Sequence, residues 1–219
     1  MALELAARLG DVEIVTVDSM QVYRGMDIGT AKPSAADRAA VPHHLIDLAD
    51  PAEEWSLTRW VAAADAALAG IEARGHRALL VGGTGLYFQA AVDRLKPPGR
   101  YPEVQAELEL EKDTARLYHR LSAADPLAAT RMEPANRRRV IRALEVTLGS
   151  GRPFSSFGPG MTAFADTPWR LAGLWLPRAV VAARIGRRLR AMVAGGLVDE
   201  VARLRERPLS RTARQALGY

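Results

Sequence analysis

The chain is predicted to be an α/β protein, a parallel-sheet core interrupted by a helical insertion, on three observations. Short apolar runs alternate with helical patterns through the first 92 residues, as in strand–helix–strand units of a parallel sheet. Two of those runs deliver polar or glycine-rich segments at their C-terminal ends. Past Lys96-Pro97-Pro98-Gly99 the pattern becomes helical and charge-rich, and an apolar run returns near residue 171. With 219 residues there is room for one large domain or a core with a small insert. We place the core in residues 1–92 and 166–219 and the insertion in residues 93–165.

The elements follow in order. Ala2–Leu9 has helical content and a stop at Gly10. The apolar residues of Glu13–Val17 predict a short buried strand. Pro33-Ser34 opens a turn or short helix, and His44–Asp47 has the composition of another strand. Ser56 is placed to cap an amphipathic helix over Leu57–Ala73 that Gly75 closes. Ala78–Val81 is a buried strand running into Gly82-Gly83-Thr84-Gly85, with a helix from Leu86 to Val92. In the insertion, helices are predicted over Glu103–Leu121, Pro126–Arg131 and Asn136–Leu148, then an irregular loop from Pro153 to Pro168. Leu171–Leu176 should return to the sheet as a strand. Pro177 then starts a helix to Ala194, and a last helix runs from Gly195-Gly196 to Arg207.

Composition excludes several classes of function. No apolar stretch approaches the roughly 18 residues of a membrane span, and no secretory signal opens the chain. Without cysteine there are no disulfides, thiolate metal sites or thiol nucleophile, which fits a cytoplasmic protein. The four histidines form no i,i+4 pair, so no protein metal site is assigned. Adjacent His43 and His44 would point to opposite sides of a strand. Charge is uneven: residues 1–92 carry 7 Lys/Arg against 12 Asp/Glu, and residues 93–219 carry 23 against 13. A basic half suits a polyanionic partner, although a bias toward arginine codons would give the same counts.

Four places carry chemistry. Asp18 ends the first strand, where open α/β sheets bind ligands, and could accept a proton from a substrate; it could equally cap a turn or pair with Arg24. Gly82-Gly83-Thr84-Gly85 sits at a strand-to-helix junction, where glycines admit a ligand to the backbone or simply allow tight packing. Arg137 to Val146 is helical with one basic side, Arg138 and Arg142 standing four apart. Guanidinium groups there suit phosphates and base edges, or form a solvated helix face. Arg184 and Arg188 share a ridge of a later helix, from which either could steady a leaving anion; a plain surface role fits them equally well.

The string from Val15 through Asp18-Ser19-Met20-Gln21-Val22-Tyr23 to Gly29-Thr30-Ala31-Lys32-Pro33 resembles the substrate-binding motif of the tRNA dimethylallyltransferases, also called tRNA isopentenyltransferases. Gly82 to Tyr87 is similar to that family's second signature, and Arg138 to Arg142 to its tRNA-contacting segment. The resemblance continues to Gln215-Ala216-Leu217-Gly218-Tyr219. It implies a P-loop-NTPase-like core and transfer of a dimethylallyl group from its diphosphate, with Mg²⁺, to the exocyclic amine of the adenosine 3′ to the anticodon. It further implies catalytic roles for Asp18 and Thr84, and substrate contacts from Asp18, Ser19, Met20, Gln21, Thr84 and one of Arg184 and Arg188. The tRNA anticodon stem-loop would meet Asp18 to Gln21 and Arg138, Arg139, Val140, Ile141 and Arg142. Gln105 stands where members more often carry a tRNA-contacting arginine. A monomer is expected.

Two departures accompany the resemblance. The family's Gly-rich phosphate loop is not in the sequence, and the match stops before the family's last helices. These 219 residues alone are therefore expected to have little or no transferase activity, with a sheet edge exposed. The competing readings are an adenylate dimethylallyltransferase acting on free nucleotides and a non-catalytic RNA-binding remnant. A small-molecule kinase would leave the Asp18–Pro33 string unexplained.

Overall fold

Six consecutive buried residues, Val12–Val17, form β1, the centre of a parallel sheet with β2 (His43–His44) on one side and β3 (Arg77–Gly82) on the other. The computed structural model describes residues 1–158 and 166–216. The chain divides into two units, Met1–Val92 with Pro168–Tyr219, and Asp93–Thr167.

In the first unit the register pairs Ile14 with His43 and Val17 with Gly82. Helix α1 (Ala2–Leu9) lays Ala6 and Leu3 on Val12, Ile14 and Val41, giving the sheet one covered face. The short α2 (Ala35–Ala40) starts in a capping box of Ser34 and Asp37. Helix α3 (Leu57–Ala73) starts where Ser56 Oγ accepts from Arg59 N–H and ends before Gly75, whose φ of 71° suits glycine. It buries Trp60, Ala64 and Ile71, a helical spacing, and Trp60 packs 4.7 Å from Tyr87 of α4 (Gly85–Val92).

β1 holds one charged residue in its interior. Glu13, 2% exposed, accepts two bonds of 2.8 Å from Arg74, one of 2.6 Å from His44 Nε2 and one of 2.9 Å from His76 Nδ1. Those partners satisfy a carboxylate that would otherwise be too costly to bury.

The glycine-rich junction divides into packing and open positions. A Cβ on Gly82 would lie 2.0 Å from the Val17 carbonyl oxygen, whereas one on Gly83 would meet nothing within 4 Å. Gly82→Ala is therefore expected to cost about 1–3 kcal/mol by urea denaturation, as overpacking does. Gly83→Ala should stay within about 0.5 kcal/mol of the parent.

Two strands are predicted where the structure forms something else. Of the predicted His44–Asp47 strand only His44 stays in the ladder, paired with Val15, because Leu45 and Asp47 take positive φ (65° and 58°) and turn the chain out of it. Leu171–Leu176 forms no strand among the described residues, and Trp175 is 94% exposed. An apolar run without a ladder partner leaves its amides to water. Pro177 then starts α9 (Arg178–Ala194), and α10 (Leu197–Arg205) follows Gly195-Gly196.

The second unit is helical: α5 (Pro102–Leu110), α6 (Thr114–Ala124), α7 (Pro126–Thr130) and α8 (Arg137–Ser150). Leu108, Leu117, Leu121, Val140 and Leu144 fill its core. The single stretch predicted over Glu103–Leu121 is broken at Glu111–Asp113, because Glu111 is extended and Asp113 caps a new helix by accepting from Ala115 N–H at 2.8 Å. The irregular loop expected over Pro153–Pro168 contains a 3-10 turn at Phe154–Phe157, and its stretch 159–165 lies outside the described residues, as do residues 217–219 of the C-terminal match. Among the described residues no helix is long and apolar enough to cross a membrane.

Candidate active site

The C-terminal ends of β1 and β3 meet at Thr84. Its N–H donates to the Val17 carbonyl at 3.3 Å, and its hydroxyl oxygen accepts from Ser19 N–H at 3.2 Å. Among the described residues the Thr84 hydroxyl is seen only as an acceptor, and its proton can serve a third group. Parallel pairing of the two strands thus sets the Asp18 segment beside the glycine-rich junction.

Asp18 Oδ1 accepts from the N–H groups of Met20 (2.8 Å) and Gln21 (3.3 Å), an Asx-type turn that bends the chain directly after β1. Arg24 turns elsewhere, to the Asp47 carbonyl and Glu53. Capping and chemistry are compatible here, since a carboxylate has about four lone-pair sites. Asp18 also lines a cleft of about 350 Å³ with Thr16, Gln21, Lys32, His43 and Gly82. Tyr87 is buried close by, and desolvation, reinforced by Tyr23 and Asp18, pushes its phenol up to about 12. It stays neutral at physiological pH.

The loop after Asp18 is braced from within. Gln21 Nε2 donates to the carbonyls of Thr30 (2.9 Å) and Ala31 (3.4 Å), and Thr30 Oγ1 donates to Met26 O at 2.6 Å. The Lys32 side chain, 1% exposed, donates to Tyr23 O, Asp27 Oδ1 and Asp47 Oδ1 at 2.5–2.7 Å. Asp47 also accepts from Arg38 at 2.7 Å. Burial pushes the Asp47 carboxyl up, but Lys32 and Arg38 outweigh it and hold the group below the usual carboxylate range. Lys32 is thus an internal strut, a role that sequence reasoning did not assign to it.

A second cleft, of about 540 Å³, shares Ala31, Lys32 and Pro33 of this loop with the first and is also lined by Ile28, Ser34, Arg38, Arg188 and Met192, among others. Arg188 of α9 faces it; Arg184 lines neither cleft, and neither do Ser19, Met20 and Thr84, which border Asp18 through the backbone. Glu200 of α10, unremarked in the sequence, accepts from the backbone of the same loop.

Within the helical unit the basic segment separates by role. Arg138 and Arg139 project from the first turn of α8 and are exposed. Val140 and Ile141 point into the core of that unit. Arg142, 26% exposed, donates to the carbonyls of Pro98 (2.8 Å) and Gly99 (3.0 Å) and pairs with buried Glu145 at 2.8 Å. Gln105 donates to Glu109 at 2.7 Å along α5.

A family model described as IPP transferase matches residues 21–219. The chain belongs to the IPP transferase family. It is 49% identical to a tRNA dimethylallyltransferase of Halorhodospira halophila over 94% of its own length and 68% of that protein's. Among solved structures it resembles the full-length tRNA isopentenylpyrophosphate transferase of Bacillus halodurans (TM-score 0.63, 39% identity, all of this chain and 69% of that one). It also resembles a eukaryotic dimethylallyltransferase acting on tRNA (TM-score 0.80, 26% identity, 94% of this chain and 52% of that one). The α/β core with a parallel sheet agrees with the P-loop-like fold expected of an IPP transferase. The Mg²⁺ that the resemblance implies finds no group of three carboxylate or imidazole side chains among the described residues.

Proposed function

We propose that the chain serves transfer of a dimethylallyl group from dimethylallyl diphosphate to the exocyclic amine of the adenosine beside a tRNA anticodon. One observation carries this reading: Asp18 and Thr84 are brought together at two parallel strand ends, by the Ser19–Thr84 bond, in a chain 49% identical to a tRNA dimethylallyltransferase. In the reaction an N–C bond forms at the allylic carbon as its C–O bond to diphosphate breaks. The amine is a weak nucleophile, so Asp18 would accept its proton as the new bond forms. The Thr84 hydroxyl would contact the acceptor, with Ser19, Met20 and Gln21 framing the base. The allylic carbon separates with cationic character and the leaving diphosphate needs cations; Arg188 is preferred to Arg184, since it faces a cleft. Mg²⁺ belongs to this reading only as counter-ion of the diphosphate.

Residues 93–165 would act as the tRNA-contacting insertion and residues 1–92 with 166–219 as the catalytic core, in a cytoplasmic monomer. Arg138 and Arg139 are the phosphate contacts this reading favours, because both are exposed. The acceptor base must leave its stack to reach a cleft at the sheet, as in other enzymes that act on a base.

The deciding experiment compares transfer of labelled dimethylallyl to an anticodon stem-loop and to AMP by the full-length protein. Preference for the stem-loop is expected. Preference for AMP would overturn the tRNA assignment, and stem-loop binding without transfer would leave only RNA recognition. In direct binding measurements Arg138→Gln and Arg139→Gln should each weaken stem-loop binding and flatten its log–log salt dependence by about 1. Arg142→Ala should instead lower the unfolding midpoint, since its partners are internal.

A further inference from the structure

Glu200 is 3% exposed in α10, and its partners are the amides of a loop 171–173 positions earlier in the chain. Oε2 accepts from Asp27 N–H (3.0 Å) and Ile28 N–H (3.0 Å), and Oε1 from Ile28 N–H (2.9 Å) and Gly29 N–H (3.1 Å). A carboxylate on three successive amides is a charge-assisted anchor, and without it those amides lose their partner. The loop it grips does not end there. Thr30 and Ala31 present their carbonyls to Gln21 Nε2, and the Gln21 N–H is one of the two that Asp18 caps. Ala31 holds a φ of 52°, a conformation that non-glycine residues keep only where their surroundings impose it.

Ala31, Lys32 and Pro33 are also a common wall, lining both the cleft of Asp18 and the cleft of Arg188. We infer that Glu200 is a positioning residue. By clamping Asp27–Gly29 it fixes this wall and the Gln21–Asp18 turn, so that acceptor amine and leaving diphosphate are held in line. The inference rests on the transferase reading above, and it gives Glu200 a role that reaches Asp18 through the loop.

The test uses Glu200→Gln, which keeps the shape and removes the charge, and Glu200→Asp, which keeps the charge on a shorter arm. Amide hydrogen exchange is expected to quicken at Asp27–Gly29 and, through the loop, at Met20 and Gln21, by about tenfold or more in the Gln variant, with Val12–Val17 unchanged. Misalignment of this kind should lower kcat for stem-loop prenylation by roughly 10- to 100-fold, with KM for the stem-loop changing less than about threefold. Glu200→Asp should recover part of both losses. Faster exchange confined to Asp27–Gly29 with kcat intact would overturn the inference, as would equal loss of protection throughout β1, which is what a merely structural residue would produce. The kinetic arms use the full-length protein: if its unaltered form transfers no dimethylallyl group, the functional reading falls, and exchange at Met20 and Gln21 still decides whether the clamp reaches Asp18.

Discussion

Replacing Asp18 by Asn is expected to slow dimethylallyl transfer by roughly 10²- to 10⁴-fold, the usual contribution of a positioned base, while leaving stability nearly unchanged. The substitution separates the turn cap that Asp18 makes from the proton acceptance proposed for it. Asn retains an oxygen that can accept from Met20 N–H and Gln21 N–H, so the turn after β1 survives. What it lacks is a carboxylate able to take a proton from the acceptor amine. Asp18→Ala should lose the same activity and, in addition, about 1 kcal/mol of stability, the scale of a lost side-chain cap. Single-turnover rates and urea midpoints of the two variants check this directly. An Asn variant with the parent's rate would reduce Asp18 to a turn cap.

The second large effect concerns stability. Glu13 is drawn down from 4.5 to about 2, chiefly by the Arg74 hydrogen bond, against the opposing effect of burial and with further help from His44 and His76. A carboxyl with a depressed folded value binds its proton more readily in the unfolded chain. Its contribution is therefore full above about pH 4.5, declines as the pH falls, and is gone below about pH 2. Urea midpoints measured across that window should fall steeply for the parent protein. They should fall less for Glu13→Gln, which at neutral pH should already be weaker by about 2–3 kcal/mol through loss of charged hydrogen bonds. Identical pH slopes for the two proteins would show that Glu13 does not control acid unfolding.

Locally encoded features were legible in the sequence. Ser56 caps α3 because a hydroxyl there can meet a helix N–H three residues on, and the apolar run of β1 marks a strand covered on both faces. Asp18 was visible as a site candidate since it stands at a strand end, and the same local chemistry made its capping role visible too. Features set by distant partners were hidden. His44–Asp47 has strand composition, but Asp47 is claimed by Lys32 and Arg38 and the chain turns out of the sheet. Leu171–Leu176 has the apolarity of a strand, yet apolarity names no ladder partner. Arg142 reads as one more cation on a basic helix, since nothing in its vicinity announces the Pro98 and Gly99 carbonyls that engage it. Glu200 left no trace because its partners are backbone amides, which have no residue signature.

The helical unit keeps its own dry interior, in which Leu108, Leu117, Leu121, Val140 and Leu144 meet one another. Packing changes made there are absorbed where they arise. A self-contained interior of this kind can trade volume among its own side chains, one exchange compensating another, without drawing on residues of any other element.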